Sequence, residues 1–245
     1  MRIADRIYWV GSGCVGISAP GDCHTYLIEG DDALALVDCG MAADPRAILE
    51  EIRRDGLDPD RLRYCFLTHA HYDHAGGCRA LQAQGVRIVG SPAADQVLRR
   101  GAAEYYGLQG SGEWIDNWRG MPLCCLDDTA GDGSSFDLGG VTVRAIATPG
   151  HSPDSMCYLA AYADSGRRNL FSGDTVFYKG FISVLHPALS DLRHYPEGIH
   201  ALAGLGVDGL FPGHLMWVLE GGQQYIDIAD RAFQAGQVPD NKPFS

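Results

Sequence analysis

A chain of 245 residues that is 46% apolar and 20% charged can close one sizeable core, and this composition excludes disorder as its main state. Nineteen basic residues against thirty-one acidic ones leave a net charge of −12 with no local basic cluster, which argues against nucleic acid or an anionic membrane surface as partner. No run nears the ~18 apolar residues of a membrane span.

The apolar residues 7–10 are followed by Gly11, Gly13 and Gly16, which break any signal-peptide core, so a cytoplasmic protein is expected. The eight cysteines include no C-x-x-C pair, and several, such as Cys65, sit in apolar runs; they read as reduced small hydrophobes. Residues 26–28 and 33–37 form two strands across the turn at Glu29-Gly30-Asp31-Asp32, and the second leads into Asp38. A helix follows, with Asp44 as N-cap, Pro45 in its first position and Gly56 as its stop. A strand over 62–68, a helix over 75–84, a strand over 86–89 and a helix opened by Ser91-Pro92 and running to Arg100 complete an alternating first half, the pattern of an α/β fold. Residues 101–121 keep no period: five glycines share the stretch with Tyr105, Tyr106, Trp114 and Trp118, as in a cover over a site or a satellite hydrophobic cluster. Strands are expected again at 141–147, 156–161, 169–172 and 209–211, with helices at 193–205 and 223–234. No repeat or linker divides the chain, which is read as a single domain over 1–245.

The chemistry concentrates in Thr68-His69-Ala70-His71-Tyr72-Asp73-His74, three imidazoles and a carboxylate within six residues directly after an apolar strand. Imidazole nitrogen and carboxylate oxygen are donors that Zn²⁺ favours, and a loop leaving a strand can gather them. Three more such residues follow apolar strands: His151 after Pro149-Gly150, Asp174 after Gly173, and His214 after Pro212-Gly213. Seven ligand-type side chains suffice for two metals. His24, His186, His194 and His200 stand alone and are read as hydrogen-bonded or surface residues.

This set resembles the metallo-β-lactamase superfamily: the signature H-x-H-x-D-H matches residues 69–74 without a gap, and His151, Asp174 and His214 match the later ligands in order. The resemblance spans nearly the whole chain. It implies a four-layer αββα sandwich of two mixed β-sheets with helices outside, and a site holding two divalent metal ions, zinc first, with iron or manganese as alternatives. By this likeness His69, His71 and His151 would hold one metal, Asp73, His74 and His214 the other, Asp174 would bridge them, and Asp38 would brace the histidine loop. The implied activity is hydrolysis of a small-molecule ester, thioester, lactone or amide by a hydroxide between the metals, with Asp73 and Asp174 catalytic and Tyr178 or Tyr195 as candidate proton donors. An iron-dependent persulfide dioxygenase and a metal-dependent phosphodiesterase are the alternatives on the same scaffold. Phe177 stands where the family's lactonases carry tyrosine. The segment after Thr175 lacks the Gly-Cys-Gly of hydroxyacylglutathione hydrolase, so neither substrate class is singled out.

Overall fold

Apolar, β-rich runs separated by Gly- and Asp-rich turns pair with their sequence neighbours, and each half of the chain builds one sheet in this way. The computed structural model describes residues 1–41 and 44–241. It divides into two compact units, Met1–Ala130 and Gly131–Ser245.

The first unit contains β1 (Arg2–Ala4), β2 (Ile7–Gly11), β3 (Thr25–Glu29), β4 (Leu34–Val37), α1 (Arg46–Arg54), β5 (Leu62–Phe66), α2 (Tyr72–Ala75), α3 (Cys78–Gln82), β6 (Arg87–Gly90), α4 (Pro92–Arg100), α5 (Ala102–Tyr105), α6 (Glu113–Gly120) and β7 (Asp128–Thr129). Its seven strands lie in chain order in one mixed sheet, antiparallel from β1 to β4 and parallel from β4 to β7. Leu27, Leu34, Leu36, Phe66 and Ile88 have essentially no exposed surface, as expected of strands covered on both faces. Because β4 and β5 run in the same sense, Asp38 and the loop from Thr68 to His74 leave the sheet at the same edge.

The second unit contains β8 (Ser135–Asp137), β9 (Val141–Ala147), β10 (Met156–Tyr162), β11 (Arg168–Gly173), α7 (Tyr195–His200), β12 (Gly209–Pro212) and α8 (Gln223–Gln234). The sheet order is β12-β11-β10-β9-β8, with β11 and β12 parallel and the other pairs antiparallel. Strands β9, β11 and β12 therefore point the same way, and His151, Asp174 and His214 all emerge at the carboxyl edge of this sheet. Ligand sites in open α/β sheets favour such an edge. Ile146, Leu159, Leu170, Tyr195, Ile199, Leu210 and Ile226 form the core that holds α7 and α8 to the sheet.

Local cap chemistry predicted several elements closely. Ser91 accepts the Ala94 amide at 3.1 Å and opens α4 as expected, whereas α1 starts one residue late, with Pro45 and not Asp44 at its N-cap, although Asp44 accepts the Arg46 amide at 3.0 Å. Other elements differ from the expectation. The helix expected over 75–84 is regular only from Cys78 to Gln82, and Ala75 instead closes the preceding short helix α2; between them Gly76 packs so closely that an added Cβ would meet the Tyr72 carbonyl at 2.7 Å. The helix expected over 193–205 is regular only from Tyr195 to His200 and gives way to turns before Gly204, whose φ is +68°. The aperiodic residues 101–121 contain α5 and α6, each entered from a glycine of positive φ, Gly101 and Gly112. Strands β1, β2, β7 and β8 were not predicted; three of them have only two or three residues. Among the described residues no helix is long and apolar enough to cross a membrane.

Candidate metal centre

In the first unit, the turn after β5 folds His69, His71, Asp73 and His74 onto one another. The His69 ring lies 4.3 Å from that of His71 and 4.0 Å from that of His74, centroid to centroid, and all three imidazoles are buried. The loop is held from below by Asp38. One oxygen of this buried carboxylate accepts the Thr68 amide at 2.8 Å; the other accepts the Thr68 hydroxyl at 2.8 Å and His74 Nδ1 at 2.9 Å. Asp38 adopts φ +59°, a conformation an L-residue takes at a cost of about 1–2 kcal/mol, so its three hydrogen bonds offset local strain.

These bonds also fix the imidazole tautomers. His74 Nδ1 faces a carboxylate and must carry the proton, which leaves Nε2 with a lone pair. His69 Nδ1 lies 3.0 Å from the Thr68 hydroxyl, whose own proton goes to Asp38, so His69 is a donor at Nδ1 by the same reasoning. Asp73 Oδ2 lies 3.6 Å from His74 Nε2. That is too long for a hydrogen bond. It matches the ~3–4 Å between two donors that each sit about 2 Å from one cation.

The second unit repeats the pattern with residues drawn from three strand ends. His151 Nδ1 donates to the Ser183 carbonyl at 2.8 Å, again leaving Nε2 as the lone-pair nitrogen. Asp174 Oδ2 lies 3.7 Å from His151 Nε2 and 3.8 Å from His214 Nε2, so one carboxylate oxygen serves both imidazoles at ligand spacing. All three side chains are buried. The turns come from the expected glycines in two cases: Gly150 has φ +153° and Gly173 +48°. At the third strand end the positive φ falls on Leu215, at +62°, and not on Gly213. The donor chemistry in each unit thus fits a divalent cation of the zinc class: neutral imidazoles presenting Nε2, with carboxylate oxygens at ligand spacing.

Tyr195, considered from the sequence as a proton donor, is completely buried. Its hydroxyl lies 3.0 Å from the Thr175 carbonyl, 3.1 Å from that of Asp174 and 3.3 Å from that of Ser183, and it accepts the Ser183 amide at 3.2 Å. Burial raises its pKa well above the usual tyrosine value. It therefore acts as a pin between the Asp174 turn and the segment at Ser183 that orients His151, and not as an acid. Tyr178 packs its ring 4.9 Å from Tyr225.

Sequence reasoning missed three neighbours of the histidine loop. Cys23 presents its thiol with Asp38 and His74, their ligand-type atoms all within 4.8 Å of one another. Burial pushes that thiol up to about 12, against the opposing effect of His74, so it is a neutral S–H. Tyr106 and Trp118, from the 101–121 excursion, lie in edge-to-face arrangement with His71, ring centroids 5.9 and 4.8 Å away. Only the density of aromatic residues in that stretch hinted at them.

A family model described as the metallo-β-lactamase superfamily matches residues 18–214. An atrochrysone carboxyl ACP thioesterase of Aspergillus fumigatus is 30% identical over 91% of this chain and 60% of its own length. A lactamase-like protein of Penicillium aethiopicum is 28% identical over 87% of this chain and 58% of its own, and a thioesterase of Emericella nidulans 28% over 78% and 45%. The chain spans about half the length of the curated relatives it matches. Among solved structures, a metallo-β-lactamase of Cronobacter sakazakii superposes with a TM-score of 0.74 at 22% identity, covering 96% of each chain. The subclass B3 metallo-β-lactamase of Bradyrhizobium japonicum gives 0.71 at 21% identity, covering 96% of this chain and 91% of its own. These structures establish the fold.

Proposed function

The chain belongs to the metallo-β-lactamase superfamily, and from that premise we propose that it is a metal-dependent hydrolase whose seven ligand-type side chains serve two divalent cations. In this reading residues 1–245 act as a single catalytic domain. His69, His71 and His151 would hold one cation and Asp73, His74 and His214 the other, with Asp174 a ligand available to both. The observation that carries it is the fixed tautomer of His69, His74 and His151, each with Nδ1 on an acceptor and Nε2 left to coordinate. Bound divalent cations supply a water of lowered pKa and polarise a carbonyl oxygen.

The residues of the chain do the rest. Asp73 and Asp174 orient the nucleophilic water. Asp38 holds the proton on His74 Nδ1, and Ser183 does the same for His151, so neither ring turns away during turnover. Residues 101–121 act as a cover, with Tyr106 and Trp118 excluding water beside His71. We place thioesters first among ester, thioester, lactone and amide substrates, on the strength of relatives described as thioesterases, one of them acting on an ACP-linked atrochrysone carboxyl group. Zinc is the expected metal from the nitrogen-rich donor set. The eight free cysteines favour a reducing, cytosolic setting.

The test is elemental analysis of the purified full chain together with assays on acyl thioesters, a phosphodiester and a persulfide. We expect about two zinc ions per chain and thioester hydrolysis that a chelator abolishes and zinc restores. Full metal content in His71→Ala, Asp174→Ala and His214→Ala alike would overturn the reading. So would a single iron with oxygen uptake on the persulfide and no hydrolysis.

A further inference from the structure

Beside the histidine loop, the first unit holds a line of thiols that the hydrolytic reading does not use. Cys39, directly after Asp38, donates its thiol to the His74 carbonyl at 3.2 Å and its amide to the same oxygen at 2.9 Å. Its sulfur lies 3.6 Å from that of Cys78, the first residue of α3, and both side chains are buried. Cys124 comes near enough to Cys78 that each thiol affects the proton of the other. Two bonds from α3 fix that approach: Arg79 to the Leu123 carbonyl at 3.4 Å and Gln82 to the Cys125 carbonyl at 2.8 Å. Cys124 is only half-buried and lines a surface cavity of about 420 Å³ together with Cys125 and the guanidinium-bearing Arg79 and Arg99.

We propose that these residues form a thiol relay in which a peroxide enters at Cys124 and the oxidised state settles as a reversible Cys39–Cys78 disulfide. Cys65, wholly buried, also lies beside the Cys39 thiol. Core packing alone does not account for sulfurs set in succession from a surface cavity lined by Arg79 and Arg99 to the carbonyl of His74. Cationic, partly exposed surroundings are where thiols react.

Each step balances. The Cys124 sulfur attacks the peroxide, taking one oxygen to become a sulfenic acid and releasing water; the peroxide is reduced by two electrons. Cys78 displaces the sulfenic oxygen, which leaves as a second water, and a Cys78–Cys124 disulfide forms. Cys39 then attacks Cys78, so that the Cys39–Cys78 bond forms and the Cys124 thiol is regenerated with the proton that Cys39 gave up. The last step closes the sulfurs from 3.6 Å to about 2.0 Å, a movement of roughly 1.5 Å. Oxidised Cys39 no longer donates to His74, whose carbonyl keeps only the backbone donor. The oxidation thus loosens the histidine loop, whether or not that loop holds metal.

The full chain is treated with hydrogen peroxide, quenched, denatured, alkylated and mapped by mass spectrometry. We expect a cross-linked peptide pair carrying Cys39 and Cys78 that dithiothreitol reverses. Cys124→Ser should slow its formation at least roughly tenfold, and Cys39→Ser should trap the Cys78–Cys124 link. Should the Cys39 variant fail to fold, the wild-type map and the Cys124→Ser rate still decide. Alkylatable Cys39 and Cys78 beside a Cys124 sulfinic acid, or a Cys124–Cys125 pair, would overturn the relay. Unchanged kinetics in Cys124→Ser would overturn its entry point.

Discussion

In the first unit four ligand-type side chains lie within six residues on one loop, whereas in the second three are drawn from positions 151 to 214 and meet only because β9, β11 and β12 end at one edge. The loop is organised locally: Asp38 ties Thr68 and His74 together, and Cys39 secures the His74 carbonyl. The dispersed set is held differently. Its order comes from sheet register and from Tyr195, whose hydroxyl reaches both the Asp174 turn and Ser183. A contiguous set should therefore fail when its brace is removed, and a dispersed one when its pin is removed.

The largest effect should come from the dispersed half. Asp174→Ala removes a carboxylate that lies near both His151 and His214, and kcat/KM on the proposed thioester substrate should fall on the order of 10²–10³-fold with loss of bound metal. Retention of more than a tenth of wild-type activity would show that the two imidazoles need no common carboxylate. Asp38→Asn tests the contiguous half. The amide keeps one acceptor but sets an NH₂ group against a donor, either Thr68 or His74 Nδ1. Urea unfolding should report a loss of roughly 2–4 kcal/mol, and zinc competition a roughly tenfold to hundredfold weaker affinity. Wild-type affinity in a destabilised Asp38→Asn would mean that the loop orders itself.

Tyr195→Phe is the matching experiment on the pin. The ring stays packed against Gly150, where even an added Cβ would meet its Cγ at 2.6 Å, so only the hydroxyl is lost. A stability loss of about 1 kcal/mol with roughly tenfold weaker zinc binding is expected. A lower melting temperature with unaltered zinc affinity would assign Tyr195 to packing alone.

How much was legible follows the same division. The six-residue motif could be read because its spacing is itself the signal, and α4 and α8 could be read because caps and amphipathic faces are local. For His151, Asp174 and His214 the legible feature was an apolar strand ending in glycine, repeated three times. Their partners were hidden. Ser183 lies thirty-two residues from His151, and Tyr195 is twenty-one from Asp174, so nothing in either local stretch announces the contact. The short helices α5 and α6 were missed because no internal period defines them; aromatic packing of Tyr105, Tyr106, Trp114 and Trp118 around His71 and Tyr72 holds them in place.

The smallest effect supplies the control for the contiguous half. Tyr8 on β2 lies in the same unit as the histidine loop but does not touch it, and its hydroxyl donates to Glu29 at 2.6 Å. Burial first, then the hydrogen bond to Glu29 and its charge, push the Tyr8 pKa up to about 12 from an ordinary 10.0. A folded-state pKa raised in this way means that the contribution is fully present below about pH 10 and is lost as pH climbs toward 12. Tyr8→Phe should therefore cost at most about 1 kcal/mol at pH 8, and the gap between variant and wild type should narrow between pH 10 and 12. Its zinc affinity should equal that of the wild type, because the sheet is weakened while Asp38, Thr68 and His74 keep their bonds. If Tyr8→Phe loses metal in proportion to its stability, the histidine loop draws its order from the whole sheet, and the contrast between a locally held set and a dispersed one fails.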